Sequence, residues 1–180
     1  KWHKLVEEWP VLPVCFCDGE GENGEGIVPL HAAGSVVAVS HVAQDPDVVA
    51  SLTGILKQCG VATLQAELLA DERIARIITP LLVTSNKGLL HLLCDERSDI
   101  EALSGAQRHE LLAYFSVLSV KGGIDLDEVA KLPLFKTADP KQSTFVPLKK
   151  GLMHCCVDPS DKHSNALCKL TPPNTVLLAW

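Results

Sequence analysis

The chain states one phrase twice. Near its start Trp9-Pro10-Val11-Leu12-Pro13 is followed by an acidic, glycine-rich stretch and then by Ile27-Val28-Pro29-Leu30. Further along, Lys131-Leu132-Pro133-Leu134-Phe135-Lys136-Thr137 is followed by a polar stretch and then by Phe145-Val146-Pro147-Leu148. Each copy is a short apolar run opening with Leu-Pro, a hydrophilic bend, and a second run closing with Val-Pro-Leu. The pattern predicts a two-stranded ribbon whose prolines sit at strand starts or edges, where no ladder donor is needed. Ribbons recurring at domain-sized spacing between helical stretches point to one slice of a larger repetitive protein.

Between the ribbons the periodicity is helical. Asp45-Pro46 supplies an N-cap and a proline at the first helical position, and Val48, Val49, Leu52, Ile55 and Leu56 recur at helical spacing up to Gly60. A helix is predicted over 46–58, with Gly60 just past its end. A second is predicted from Leu64 to Ile78, ended by Pro80, with Asp71-Glu72-Arg73 exposed and Leu68, Leu69, Ile74 and Ile77 inward. Leu89 to Cys94 reads equally as a buried strand or half a helix. Ser104 and Gln107 have capping-box spacing ahead of a helix over 105–118, with Leu111, Leu112, Phe115 and Leu118 on one face and Lys121-Gly122-Gly123 at its end. Asp125 caps a last turn holding Leu126 and Val129, with Glu128 at the N3 position.

The order is ribbon, helices, ribbon and a poorly patterned tail. That is an α+β class of short antiparallel ribbons packed with amphipathic helices. The expected division places a ribbon-plus-helices unit at 1–131 and the start of a following ribbon unit, cut short, at 132–180. The final Val176-Leu177-Leu178-Ala179-Trp180 is an apolar run that needs covering.

Charge and cysteine usage narrow the function. A net charge of -6 argues against a nucleic-acid or anionic-membrane surface, since those are assembled from clustered Lys and Arg, and only Lys149-Lys150 stand adjacent. No apolar stretch approaches the roughly 20 residues that span a bilayer. Seven irregularly spaced cysteines fit reduced thiols in a cytoplasmic protein better than a disulfide framework.

Several motifs invite chemistry and fall short of it. Gly19-Glu20-Gly21-Glu22-Asn23-Gly24 has the spacing of a dinucleotide fingerprint. That mechanism needs a helix N-terminus next, whereas Glu25-Gly26-Ile27-Val28-Pro29 is strand-like and three carboxylates would repel a pyrophosphate. His154, Cys155, Cys156, His163 and Cys168 are zinc-capable types close together, but adjacent cysteines lack the intervening residues that turn two sulfurs toward one ion. Cys15 and Cys17, two apart on an expected strand, face the same side as a ligand pair would and read equally well as small buried apolar cysteines. Cys59 reads as helix-end packing and Cys94 as core, although any of these thiols would serve a thiol-dependent enzyme if it were activated. His91, among leucines, reads as a hydrogen-bonded core histidine and His109 as solvent-facing, while His31 and His41 stand singly. Asp95-Glu96 and Asp127-Glu128 read as solvated or capping carboxylates. No catalytic residue, cofactor site or metal site is assigned.

The ribbons carry a resemblance. Glu8-Trp9-Pro10-Val11-Leu12-Pro13 and Lys131 to Thr137, each followed by a turn and a Val-Pro-Leu strand, resemble recurring segments of the sacsin-like family. Leu56-Lys57-Gln58-Cys59-Gly60 resembles the helix end that follows such ribbons, and Arg108 to Phe115 the helix that precedes the next one. The resemblance covers about residues 5–150. It implies a piece of a very large cytoplasmic protein tied to chaperone activity and protein quality control, packed against neighbouring repeats of its parent chain, with protein clients or chaperones as further partners. The ATPase domain of such proteins has no counterpart here, so no ATP-binding residue is carried over. A zinc-stabilised interaction module on the His/Cys tail and a thiol-dependent enzyme stand as alternatives.

Overall fold

A computed structural model describes residues 10–17, 23–95, 98–138, 144–158 and 175–179, with residues 10–12, 15–17, 23–25 and 27–31 described by their backbone alone. It is a mixture of helices and short strands. The first ribbon forms as read: β1 (Pro10–Cys17) pairs antiparallel with β2 (Asn23–Pro29). The far edge of β1 takes up β3 (Thr63–Leu64), giving the order β2-β1-β3. Val37 then lies between Thr63 and Val83, bridged in parallel to both. The ribbon thus joins a small mixed sheet whose inner strands are short and buried.

A 3-10 turn (Leu30–Ser35) and α1 (Val39–Val42) lead into α2 (Pro46–Gln58). The Asp45 carboxylate caps α2 by accepting from Asp47 N–H at 2.9 Å. At its other end Gly60 N–H donates to Lys57 O and Val61 N–H to Leu56 O, both at 2.9 Å, which is a Schellman closure made possible by the Gly60 φ of 73°. The inner side, Leu52, Ile55 and Leu56, is buried as expected.

The expected helix over 64–78 is broken. Thr63 and Leu64 are held in the sheet, and the chain resumes as α3 (Glu67–Ala70) and α4 (Glu72–Ile78). Asp71 separates the two by accepting from Arg73 N–H and Ile74 N–H, so the helical phase restarts there. Leu68 and Leu69 pack against the core beneath the sheet, but Ile74 faces outward and Ile77 is 68% exposed, with Ile78 turned inward instead.

Residues 89–93 belong to a helix, α5 (Asn86–Leu93), with Cys94 as its C-cap and Ser85 Oγ capping its start by accepting from Gly88 N–H at 3.1 Å. α6 (Gly105–Val120) begins with the complete capping box: Ser104 Oγ accepts from Gln107 N–H, and Gln107 Oε1 accepts from Ser104 N–H. It ends in a second Schellman closure, Gly123 N–H to Leu118 O, around Gly122 at φ 71°. α7 (Leu126–Val129) is capped by Asp125. Leu111 and Phe115 of α6 are fully buried against α2, α5 and α7 in the main core.

The second ribbon, β4 (Phe135–Lys136) with β5 (Phe145–Val146), is antiparallel, and Leu132 and Leu134 just ahead of it are buried in the helices' core. Its register sharpens the repeated phrase. Leu12 stands opposite Val28 and Phe135 opposite Val146, so Trp9-Pro10 matches Leu132-Pro133, rather than Leu-Pro matching Leu-Pro. Within the tail, for which the sequence pattern predicts no strands, β6 (Met153–Val157) and β7 (Thr175–Ala179) pair in parallel. β7 covers its apolar run by lying along β4: Thr137 bridges Leu178, and Ala138 N–H donates to Leu177 O at 2.9 Å.

Candidate functional site

α6 carries apolar residues on two sides. Leu111 and Phe115 point into the core, while Val117 is 57% and Val120 89% exposed on the opposite side. Two apolar patches on one helix, with polar residues such as His109, Glu110 and Ser116 between and beside them, offer cover on more than one side. Between α2 and α6 lies a groove of about 730 Å³, walled by Val48, Leu52 and Ile55 from the first helix and by Ala113, Val117 and Leu118 from the second. The segment 41–45 and Asn86 close one end.

Tyr114 fixes that closed end. Its hydroxyl donates to Asn86 Oδ1 at 2.6 Å and lies 3.2 Å from Val42 O, tying α6 to the start of α5 and the end of α1. Its ring stacks at a 57° tilt on Phe115, centroids 5.6 Å apart. Burial pushes the phenol above its ordinary range, so it stays a neutral donor. His41, Asp45, Glu110 and Lys121 stand on the rim, and Asp45 is already committed as the α2 cap. An aliphatic centre with a charged rim supplies contact area and orientation, not a nucleophile beside a base.

A second concavity, about 810 Å³, lies between α5 and α7 and is lined by Lys87, His91, Cys94, Asp95, Asp125 and Glu128. His91 is exposed there instead of filling a core position, because it stands roughly two 100° steps round α5 from Leu89 while Leu89, Leu90 and Leu93 take the inner side. Cys94 is also exposed, at the C-cap of α5, with its Sγ 3.8 Å from Glu128 O. Partial burial, and then the Glu128 charge, push its thiol up.

Cys59, at the α2 C-cap, is fully buried as helix-end packing. Burial, aided by the Asp99 charge, pushes its pKa up to about 12. Both shifts act against a thiolate, the reactive form of cysteine. The side chains of Cys15, Cys17 and His31 lie outside the described residues.

The zinc-capable tail is only partly described. His154, Cys155 and Cys156 lie on β6, and His163 and Cys168 fall outside the described residues. Consecutive strand residues point to opposite faces, which separates the two sulfurs. His154 Nε2 accepts from Lys149 N–H at 3.4 Å. Among the described residues no group of three or more His, Cys, Asp and Glu side chains converges as metal ligands. After the glycine-rich segment the chain continues from Asn23 as strand β2, where a dinucleotide site requires a helix.

His109 is solvent-facing as expected. Asp127 pairs with Lys150 at 2.7 Å, and Glu128 with Lys131, both at the surface. The Lys150 hydrogen bond holds the Asp127 carboxyl below its usual range. Among the described residues no helix is long and apolar enough to cross a membrane. Comparison with protein-family models, curated proteins and solved structures returns no match.

Proposed function

We propose that this chain is a non-catalytic packing and docking segment of a large, cytoplasmic, sacsin-like protein concerned with chaperone activity and protein quality control. Its working surface is the groove between α2 and α6, and its occupant is the apolar side of an amphipathic helix from a neighbouring repeat or client. One observation carries this reading: α6 is apolar toward the groove and solvent as well as toward the core, with Val117 and Val120 left in the open. Helix-in-groove recognition uses apolar anchors one turn apart, which a trough between two antiparallel-lying or crossing helices accepts without backbone rearrangement. The neutral, tethered Tyr114 gives the trough a fixed end.

The test is a fluorescence titration with a labelled amphipathic helical peptide carrying leucines at i, i+3, i+4 and i+7. The wild-type chain should bind it, and Val117→Asp should weaken binding at least tenfold, about 1.4 kcal/mol, while leaving the thermal melt unchanged. Equal binding by Val117→Asp, or by a scrambled peptide of the same composition, would remove the groove as the docking surface.

A further inference from the structure

The two ribbons are embedded in separate sheets that share one strand pattern. In the first, Leu12 pairs with Val28, Val14 pairs antiparallel with Leu64, and Thr63 pairs in parallel with Val37. In the second, Phe135 pairs with Val146, Thr137 pairs antiparallel with Leu178, and Leu177 pairs in parallel with Cys155. The equivalences keep step along each strand. Leu12 and Val14 match Phe135 and Thr137, Val28 and Val37 match Val146 and Cys155, and Thr63 and Leu64 match Leu177 and Leu178.

One strand of the first sheet has no counterpart among the described residues of the second. Val83 lies along Val36–Ala38, its N–H donating to Val36 O at 2.9 Å and its carbonyl accepting from Ala38 N–H at 3.0 Å. The residues equivalent to Val36, Val37 and Ala38 are His154, Cys155 and Cys156. His154 C=O and Cys156 N–H therefore face the edge of β6 that lies away from β7, where no described strand pairs. Exposure differs accordingly. Val36, Val37 and Ala38 are buried, whereas His154 and Cys155 are half-buried and Cys156 is exposed.

We propose that the outer edge of β6 is a docking edge for an extended segment running parallel to it, uncharged and centred on a branched aliphatic residue as Leu82-Val83-Thr84 is in the first sheet. The occupant's central residue donates its N–H to His154 O and accepts from Cys156 N–H, the two bonds Val83 makes with Val36 and Ala38. This is strand addition to a sheet edge, with direction fixed by the peptide groups on offer. It is independent of the α2–α6 groove.

The test uses the full chain and a blocked synthetic peptide with the sequence of residues 79–86. At peptide ten times its Kd, exchange of the Cys156 amide should slow about tenfold, with lesser or no change on β1. A peptide of reversed sequence should give no protection. Cys156→Pro removes only the outward donor, a place where an edge strand tolerates proline. Having no amide at 156 to exchange, it is read by titration with the same peptide carrying a fluorophore, whose affinity should fall at least tenfold while the β7 ladder is kept. Val117→Asp, which disables the groove, should leave it intact. No protection at Cys156 with millimolar peptide, equal protection by the reversed sequence, or undiminished affinity of the labelled peptide for Cys156→Pro would overturn the proposal.

Discussion

The guanidinium of Arg108 lies over the ring of Phe145, 4.6 Å from its centroid, and joins the longest helix to the second ribbon. Arg108 is itself buried, and its charge is met by carbonyls. Nε donates to Leu103 O at 3.0 Å, Nη1 to Pro133 O at 3.0 Å and Nη2 to Glu101 O at 2.9 Å. One planar fork thus satisfies three acceptors from two separate segments, the turn before α6 and the start of the second ribbon, and places the ring of Phe145 on its face.

Arg108→Ala should cost about 3 kcal/mol in urea unfolding, because it leaves three carbonyls without that donor in a poorly hydrated place. Arg108→Lys should recover only a minor part, since an ammonium cannot reach three divergent acceptors. A lysine variant as stable as the wild type would show that charge alone, and not the fork, holds the ribbon.

Glycine is required at Gly60 and Gly122 by backbone conformation, and an added Cβ would meet nothing within 4 Å at either. Alanine at each should therefore cost about 1–2 kcal/mol, the penalty of the left-handed region alone. Gly54, inside α2 and equally uncrowded, should respond in the opposite sense, with alanine stabilising by about 0.5–1 kcal/mol. Thermal melts of the three variants check the signs.

Cys59 predicts an alkaline limb in stability. Its pKa rises on folding from 9.0 to about 12, so the unfolded chain releases the proton first. The contribution is fully present below pH 9 and is lost as pH rises from there toward about 12, with a slope up to about 1.4 kcal/mol per pH unit. Cys59→Ala should flatten this window and leave only the part due to other groups, Tyr114 among them. An unchanged slope in denaturant titrations across pH 9–11 would mean the thiol is not held neutral.

Tyr114→Phe keeps the ring on Phe115 and removes only the hydroxyl's bonds to Asn86 and Val42. The expected loss is about 1 kcal/mol of stability, with helical-peptide binding in the groove weakened by less than Val117→Asp. Stability comes from urea unfolding and binding from the same fluorescence titration.

Helix termini were legible in the sequence because their chemistry is local. Asp45-Pro46, the Ser104/Gln107 box and Asp125 each act within three residues of themselves. The ribbons were legible for the same reason. What was hidden depends on distant partners. Thr63 and Leu64 leave the helical pattern because β1 and Val37 claim them, and Asp71 then resets the phase that Ile74 and Ile77 would have followed. The neighbours of His91 suggested burial, yet its angular position on α5 puts it outside. Arg108 gives no local signal, since its acceptors are backbone atoms whose residue types are irrelevant. The groove was signalled only by the two-sided apolar pattern of α6, in which Val117 and Val120 fall opposite Leu111 and Phe115.

Leu132 and Leu134, each 2% exposed, and the carbonyl of Pro133 complete the core and the Arg108 cradle from beyond α7. On a ribosome, these residues leave the exit tunnel after every helix they support. The helical unit is therefore expected to wait, incompletely closed, until the opening of the next ribbon has been synthesised. Stalled nascent chains ending shortly before and well after residue 134 should differ sharply in protease resistance, which makes the start of one ribbon the timing signal for the unit before it.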